Sequence, residues 1–430
     1  MTLSACDAPA RPSADVVPPR PPRPPDGATP MSRRRYLQLV LVLGSLTALG
    51  PLTIDMYLPA LPSLTADLAT TEAAAQATIT GMLVGLGLGQ LVIGPLSDAL
   101  GRRRPLITGV VAHLFASVLC ALAPSIGLLT AARLVQGLAG AAVAVVSMAI
   151  VRDLFSGMAA ATLLSRLMLV TGIAPVLAPS LGGLVLSGTT WRGVFVVLAT
   201  AAFVLVWVAV LGLRETLPEH RRRTANPGAI MRTYRGLLRD RTFVALVLVA
   251  GLAFATLFSY ISGSSFILQN LYGLSSGAYA VVFGLNSFGL VLATQVNPVL
   301  VRRFGPRRVL RGAIALAFAA STVLLAGALT GGGGLPMLLV PLWFVVASVG
   351  CIMPNTPALA LTRHGESAGT AAALLGSAQF LIGGATAPLV GAFGDDSAVP
   401  MGAVMTGATA VAGLLVLRFV RASEPAPLSA

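Results

Sequence analysis

The sequence predicts an all-α membrane protein with twelve transmembrane helices arranged in two six-helix bundles. Three observations carry that expectation. Only 10% of the 430 residues are charged and 56% are hydrophobic, whereas a soluble domain carries about 25% charged residues. Apolar stretches recur from Tyr36 to the C-terminus, each long enough to cross ~30 Å of hydrocarbon at ~1.5 Å per residue. The basic residues between those stretches are sorted to one side.

The twelve stretches fall at 36–58, 75–96, 105–124, 126–151, 161–187, 193–213, 242–264, 276–300, 308–330, 335–358, 368–392 and 399–420. An even number puts both termini on one side. All 29 basic residues are Arg; 27 lie in segments on the side of the termini, Arg192 alone lies in the opposite loops, and Arg133 falls inside the fourth stretch. Loops rich in basic residues stay in the cytoplasm. The split therefore predicts a multi-pass protein of the plasma (inner) membrane with both termini cytoplasmic. The net charge of +14 then reports topology and not nucleic-acid binding.

Residues 1–35 are rich in Pro, Ala and Arg and lack an apolar h-region, so they read as a disordered cytoplasmic tail and not a secretory signal, with Met31 as an alternative start. Residues 36–213 and 242–421 are expected to form the two bundles, joined by a cytoplasmic linker at 214–241 and followed by a tail at 422–430. Equivalent loops repeat: Gly101-Arg-Arg-Arg-Pro105 in the first half and Gly305-Pro-Arg-Arg308 in the second. Cys6, Cys120 and Cys351 are odd in number and show no metal-ligand spacing, so neither a disulfide, a metal nor a cofactor is expected. A chain without Lys cannot build a phosphate-binding Gly-x-x-x-x-Gly-Lys-Ser/Thr loop, which argues against an integral ATPase. The chain is expected to act as a monomer.

Two ionisable residues fall within apolar stretches. Asp55 lies near the end of the first and Arg133 about two turns into the fourth. A charge in the membrane costs at least ~2.5–3.5 kcal/mol and marks a functional site by default. Their depths are compatible, and an Arg side chain is long enough to reach the Asp. A carboxyl there titrates by opposed effects, burial raising its pKa and a neighbouring Arg lowering it; the bland alternative is a static ion pair fixing two helices. Candidate cavity residues are Tyr57, Gln136, Tyr260, Phe266, Asn286, Gln295, Asn355 and Gln379, although amides inside helices also serve simply as bridges between them. Pro354 beside Asn355 frees a backbone carbonyl near a polar side chain.

Further motifs concern conformation. Gly94-Pro-Leu-Ser-Asp98 leads into Gly101-Arg102-Arg103; Gly and Pro permit a tight turn, Asp98 is placed to cap a helix or pair with an Arg, and the Arg cluster suits anionic lipid headgroups. In the fifth stretch, Gly172, Gly182 and Gly183 permit close helix approach, and Pro175 and Pro179 permit bending.

In combination these motifs resemble one family. Pro51-Leu-Thr-Ile-Asp55-Met-Tyr-Leu-Pro59-Ala-Leu-Pro62, Arg133 with Gln136-Gly137, Val151-Arg152-Asp153, the Gly172-to-Gly183 segment, Trp191-Arg192 with Phe195, Glu215-Thr-Leu217, Tyr260-Ile-Ser-Gly263 and Pro354-Asn355 are similar to the bicyclomycin-resistance (Bcr/CflA) branch of drug:proton antiporters in the major facilitator superfamily. The likeness runs from about residue 36 to 421. It implies two bundles around a midplane site and efflux of small hydrophobic drugs in exchange for protons. It also implies that Arg133 is linked to proton transfer and that Asp55 is a proton and substrate site. Some relatives carry another acid about two turns earlier, where this chain has Thr47. A small-metabolite importer of the same superfamily is the principal alternative. A membrane-embedded enzyme is disfavoured because no second acid accompanies Asp55 in the bilayer. A transport-inactive sensor would carry a soluble domain.

Overall fold

The computed structural model describes residues 33–222, 227–362, 364, 367–392 and 397–420. The predicted 1–32 part of the tail, Arg223, Arg363 and residues 421–430 lie outside these. Among the described residues twelve helical segments are long and apolar enough to cross a membrane. The first span is α1 (Arg33–Asp55) continued by α2 (Leu61–Asp67). Spans two to six are α3 (Glu72–Leu100), α4 (Arg103–Ala121), α5 (Ile126–Leu154), α6 (Gly157–Gly188) and α7 (Trp191–Gly212). The second bundle is α9 (Arg241–Phe266), α10 (Ser276–Phe304), α11 (Pro306–Thr330), α12 (Gly334–Leu361), α13 (Ala368–Gly391) and α14 (Val399–Phe419). Helix starts follow capping chemistry. Thr71, Ser125, Ser275 and Asp240 each accept a backbone N–H of the following turn.

Three features depart from the sequence reading. The predicted 36–58 helix ends at Asp55 and passes through a 3₁₀ turn, Leu58–Ala60, into α2. Pro59 and Pro62 lack the N–H that would reach the carbonyls of Asp55 and Leu58, so the ladder cannot continue. Gly94 and Pro95 sit inside α3, not in a turn, and the loop is confined to Gly101 and Arg102. Finally, the linker contains a helix, α8 (Pro227–Arg239). Its Leu237 packs into the second-bundle core while Arg232, Arg235 and Arg239 stay exposed. At 13 residues it falls below the ~20-residue length that hydropathy detects.

The two repeated loops turn alike. Gly101 has φ of 88° and Gly305 has φ of 79°, a region that Gly enters at little cost. The first loop is locked. Arg102 Nε donates to Asp153 at 2.8 Å, and its Nη1 donates to Asp98 at 2.6 Å and to Ser97 at 2.8 Å. The Glu215 carboxylate caps the start of α4, accepting from Arg102 N at 2.8 Å and Arg103 N at 3.2 Å. Arg103 in turn donates to the Val210 and Leu213 carbonyls at the end of α7, where a cation complements the helix dipole. At the opposite end of this bundle, Trp191 Nε1 and Arg192 both donate to Asp67. Asp98 thus pairs with Arg102 as anticipated and does not cap a helix.

Close packing rests on glycine. A Cβ at Gly137 would lie 2.0 Å from the Met82 carbonyl oxygen, and one at Gly85 would lie 2.1 Å from that of Leu134, so α3 and α5 meet backbone to backbone as small-residue membrane interfaces do. Gly182 is equally constrained, its Cβ falling 2.1 Å from the Met56 carbonyl oxygen. Gly172 and Gly183 have ordinary clearance, with nearest atoms at 3.6 Å. Both Pro175 and Pro179 are carried inside an uninterrupted α6.

The bundles meet through α3 with α13 and α6 with α10. Five hydrogen bonds between them cluster at the end remote from the termini. Ser265 Oγ donates to Leu58 O at 2.6 Å and Gln269 Nε2 to Pro59 O at 3.5 Å. Thr80 Oγ1 donates to Gly384 O at 2.7 Å, Gly391 N to Gln76 Oε1 at 3.0 Å, and Asn270 Nδ2 to Glu72 Oε1 at 3.2 Å.

Two outcomes follow. Gly137→Ala destabilises by at least about 1–3 kcal/mol through overpacking, lowering the melting temperature of the purified protein. Gly94→Ala, whose Cβ meets nothing within 4 Å, leaves that temperature unchanged or higher. For Glu215, partial burial acts to raise the carboxyl pKa, but the N–H groups of Leu217, Arg102, Arg103 and Thr216 outweigh it and hold it below its ordinary value. A depressed folded-state pKa stabilises above the unfolded value near ~4.3. The melting-temperature gap between wild type and Glu215→Gln is therefore full at pH 7 and closes as pH falls through the folded-state value.

Candidate functional site

The polar groups of the bundle cores form two separate clusters. The first lies within the N-terminal bundle. Arg133 is fully buried; its Nη1 donates to Thr53 O at 3.0 Å and to Gln136 Oε1 at 2.8 Å. Gln136 Nε2 donates to Ser117 Oγ at 2.8 Å. His113 Nε2 lies 3.2 Å from Thr53 Oγ1. The Arg133 guanidinium covers the Tyr57 ring at 4.9 Å and the Phe195 ring at 5.7 Å, an attraction worth about 2 kcal/mol when desolvated. Tyr57 Oη is held by Thr78 Oγ1 at 2.8 Å. Arg133 Nε and Nη2 and His113 Nδ1 have no partner.

The second cluster lies where the bundles meet. Asp55, 4% exposed, sits close enough to Tyr260 of α9 and Tyr279 of α10 for its charge to act on both. Tyr260 stacks on Phe283 with centroids 5.2 Å apart, and Tyr279 packs on the same ring at 5.9 Å. Tyr279 Oη is 3.4 Å from Ser264 Oγ. Asn286 uses its Nδ2 on Val282 O at 3.1 Å. Tyr260 and Asn286 are both buried, and the Asn286 side chain is the hydrogen-bonding neighbour of the Tyr260 hydroxyl. Asp55 thus lies near two buried tyrosines and, among the described residues, forms no ion pair.

The anticipated reach of Arg133 to Asp55 is therefore absent. Thr53 and Asp55 are two residues apart on α1, about 200° around the helix. Thr53 faces α4 and α5, so Asp55 faces the other bundle. The static ion pair is excluded on the same ground.

The remaining candidates divide. Gln136 and Tyr57 belong to the Arg133 cluster, whereas Tyr260 and Asn286 join Asp55. Phe266 is core, 1% exposed. Asn355 bridges helices, its Nδ2 donating to Asn297 Oδ1 at 2.6 Å and to Cys351 O at 2.8 Å. Gln295 is exposed one turn beyond Val291, the residue that touches Gly172 across the bundle interface. Gln379 is half-buried on α13. Tyr279, Asn297 and Thr53 were not flagged by the sequence. Tyr279 shares a face with Phe283 and Asn286 at helical spacing, which was the available signal. His113 of α4 is fully buried and also touches Thr53.

Comparison with known proteins accords with this architecture. Residues 43–388 match the Major Facilitator Superfamily. The chain is 39% identical over 388 residues to "Uncharacterized MFS-type transporter YdgK" of Bacillus subtilis (strain 168), covering 89% of this chain and 95% of that one. It is 31% identical to the "Bicyclomycin resistance protein homolog" of Haemophilus influenzae, with the same coverage. It is 32% identical to the "Multidrug resistance protein MdtL" of Escherichia fergusonii over 64% of this chain and 68% of that one. Among solved structures, a D-xylose-proton symporter superposes with a TM-score of 0.72 at 17% identity, covering 90% of this chain and 98% of the other. The human organic anion transporter MFSD10 superposes at 0.68 and 19% identity, covering 90% and 99%. With its motifs, its helix order and these relatives in agreement, the chain belongs to the Major Facilitator Superfamily and is a membrane transporter, not an enzyme.

Proposed function

We propose that this transporter exports small hydrophobic drugs in exchange for protons, by alternating access, with Asp55 as the proton-carrying group. The observation that carries the reading is the position of Asp55: a buried carboxyl between the bundles, without a counter-cation among the described residues, near the buried side chains of Tyr260 and Tyr279. An unpaired charge there costs several kcal/mol. Opening and closing of the bundles over Asp55 is thereby coupled to losing and gaining a proton. The relatives named for bicyclomycin and multidrug resistance support a drug as cargo. The Arg distribution supports a cytoplasmic location for both termini and the linker in an inner membrane. On that orientation the five closing hydrogen bonds lie at the outer face, and substrate enters from the inner one. Residues 36–213 and 242–421 are the moving bundles, and one copy of the chain suffices.

Arg133 acts on this site from behind. It fixes the Thr53 carbonyl and the Tyr57 ring, on either side of Asp55 in the chain. Movement of the helix break changes what the Arg133 donors meet. One proton moved through 100 mV supplies about 2.3 kcal/mol, enough for a gradient of about 50-fold in a neutral drug, with no ATP.

In an efflux-deficient host, Asp55→Asn is expected to give a correctly sized, folded protein with drug susceptibility at the empty-vector level. Protonophore-insensitive resistance equal to wild type would reject the reading. Export is distinguished from import by drug accumulation in everted vesicles. A second outcome separates the two clusters. The thermal-stability effects of Asp55→Asn and Arg133→Gln add to within ~0.5 kcal/mol, because the two side chains share no partner. Mutual rescue in the double variant would instead mean that they pair.

A further inference from the structure

The two bundles differ in how their matching basic loops are neutralised. In the first, Arg102 and its neighbours are met by Asp98, Asp153 and Glu215. In the second, Arg302, Arg303, Arg307, Arg308 and Arg311 are crowded at the α10–α11 junction, and no Asp or Glu occurs anywhere between Asp240 and Glu366. Helices α9 to α12 therefore offer these cations no carboxylate. Arg311 turns to the Val420 carbonyl at 2.6 Å and Arg303 lies over Phe304 at 5.3 Å. Arg308 is exposed.

Directly beside Arg308 is a cavity of about 510 Å³, within the ~300–1,000 Å³ range of ligand sites. Helices α10 and α11 diverge here while both pack on α12, so α12 forms the floor of a groove. The groove runs from Phe304 at the end of α10 and Arg308 at the start of α11, past Gly312 and Leu316, to Trp343 and Ser348 in the middle of α12. Phe304 is 45% and Leu316 47% exposed, which opens it sideways to the bilayer. It is a cationic mouth on a long apolar trough, at the height of the lipid headgroups.

We propose that this groove is a site for one anionic phospholipid of the phosphatidylglycerol class, its phosphate on Arg308 and an acyl chain along the α10–α11 trough. Charge selects the ligand: a zwitterionic lipid brings its own cation against Arg308, whereas an anionic one supplies the counter-charge that the sequence of α9 to α12 withholds. Basic pockets between transmembrane helices bind anionic headgroups on this principle. The occupied groove would bridge α10, which faces the first bundle, to the peripheral α11, and so brace the helix that carries Tyr279 and Asn286.

The test is native mass spectrometry of the purified full chain titrated with phosphatidylglycerol and with phosphatidylcholine of the same acyl composition. Wild type is expected to retain one phosphatidylglycerol several-fold more strongly than phosphatidylcholine. Arg308→Gln lowers phosphatidylglycerol retention about fivefold, the weight of one basic residue near an anionic lipid, and leaves phosphatidylcholine unchanged. Gly312→Leu places a side chain in the trough, since a Cβ there meets nothing within 4 Å, and lowers retention of both lipids. Thermal unfolding of each variant without added lipid confirms that the fold is intact. Equal retention of the two lipids by wild type, or undiminished phosphatidylglycerol retention in both variants, overturns the proposal.

Discussion

A helix cannot stop inside hydrocarbon unless its freed carbonyls find new donors, and the break after Asp55 obeys that constraint. Pro59 and Pro62 force the interruption by withholding two N–H groups. The Leu58 carbonyl, denied its helical donor by Pro62, accepts Leu61 N–H in the 3₁₀ turn and Ser265 Oγ of the opposite bundle at 2.6 Å. Gly182 allows α6 to come against the Met56 carbonyl, so close that any Cβ would collide. A local defect in one helix thereby becomes a joint among three helices from both bundles. The Asp55 side chain sits at that joint.

The same break explains why the two buried charges are kept apart. Ionised Asp55 and Arg133 in contact would neutralise each other and leave little reason for either to change state. Here the Arg133 charge is dispersed among a backbone carbonyl, an amide oxygen and two aromatic faces, none of which titrates in the physiological range. Asp55 is given Tyr260 and Tyr279 as polar neighbours and no cation among the described residues. On the proposed proton exchange, protonation of the carboxyl responds to how far the bundles are open, while Arg133 holds the chain on both sides of the break.

Much of this architecture was legible in the sequence. Span number and order followed from hydropathy, because a bilayer imposes length and polarity on every crossing segment. The matched loops at Gly101 and Gly305 followed from Gly and Arg spacing, and both turned out to need positive φ. What was lost is directional. Asp55 and Arg133 have compatible depths, and depth is all that a linear pattern reports. Which way each side chain faces depends on a 100° step per residue and on the kink that Pro59 introduces, so the predicted contact was with the wrong bundle. Tyr279 and Asn297 were missed because one aromatic or one amide in an apolar helix looks like core until its neighbours are known. Asn355 shows the converse: a residue picked for a cavity serves to tie α12 to α10 through Asn297. Helix α8 was missed because its 13 residues are too few for a membrane-span pattern, while its Arg residues made it resemble an ordinary linker.

On the proposed proton exchange, closure at the end remote from the termini has an energetic scale that matches its driving force. Five hydrogen bonds cross between the bundles there. Interhelical hydrogen bonds in membranes average about 0.6 kcal/mol, so together they hold that end shut with about 3 kcal/mol. One proton crossing 100 mV carries about 2.3 kcal/mol. A latch much stronger than this would trap the carrier in one state, and a much weaker one would let both ends open at once and leak. Most of these bonds use backbone carbonyls or neutral amides and hydroxyls, with one carboxylate, Glu72, at the rim. The latch is thus built from small parts and, on the proposed exchange, stays within reach of a single protonation event at Asp55, three residues from the Leu58 carbonyl it grips.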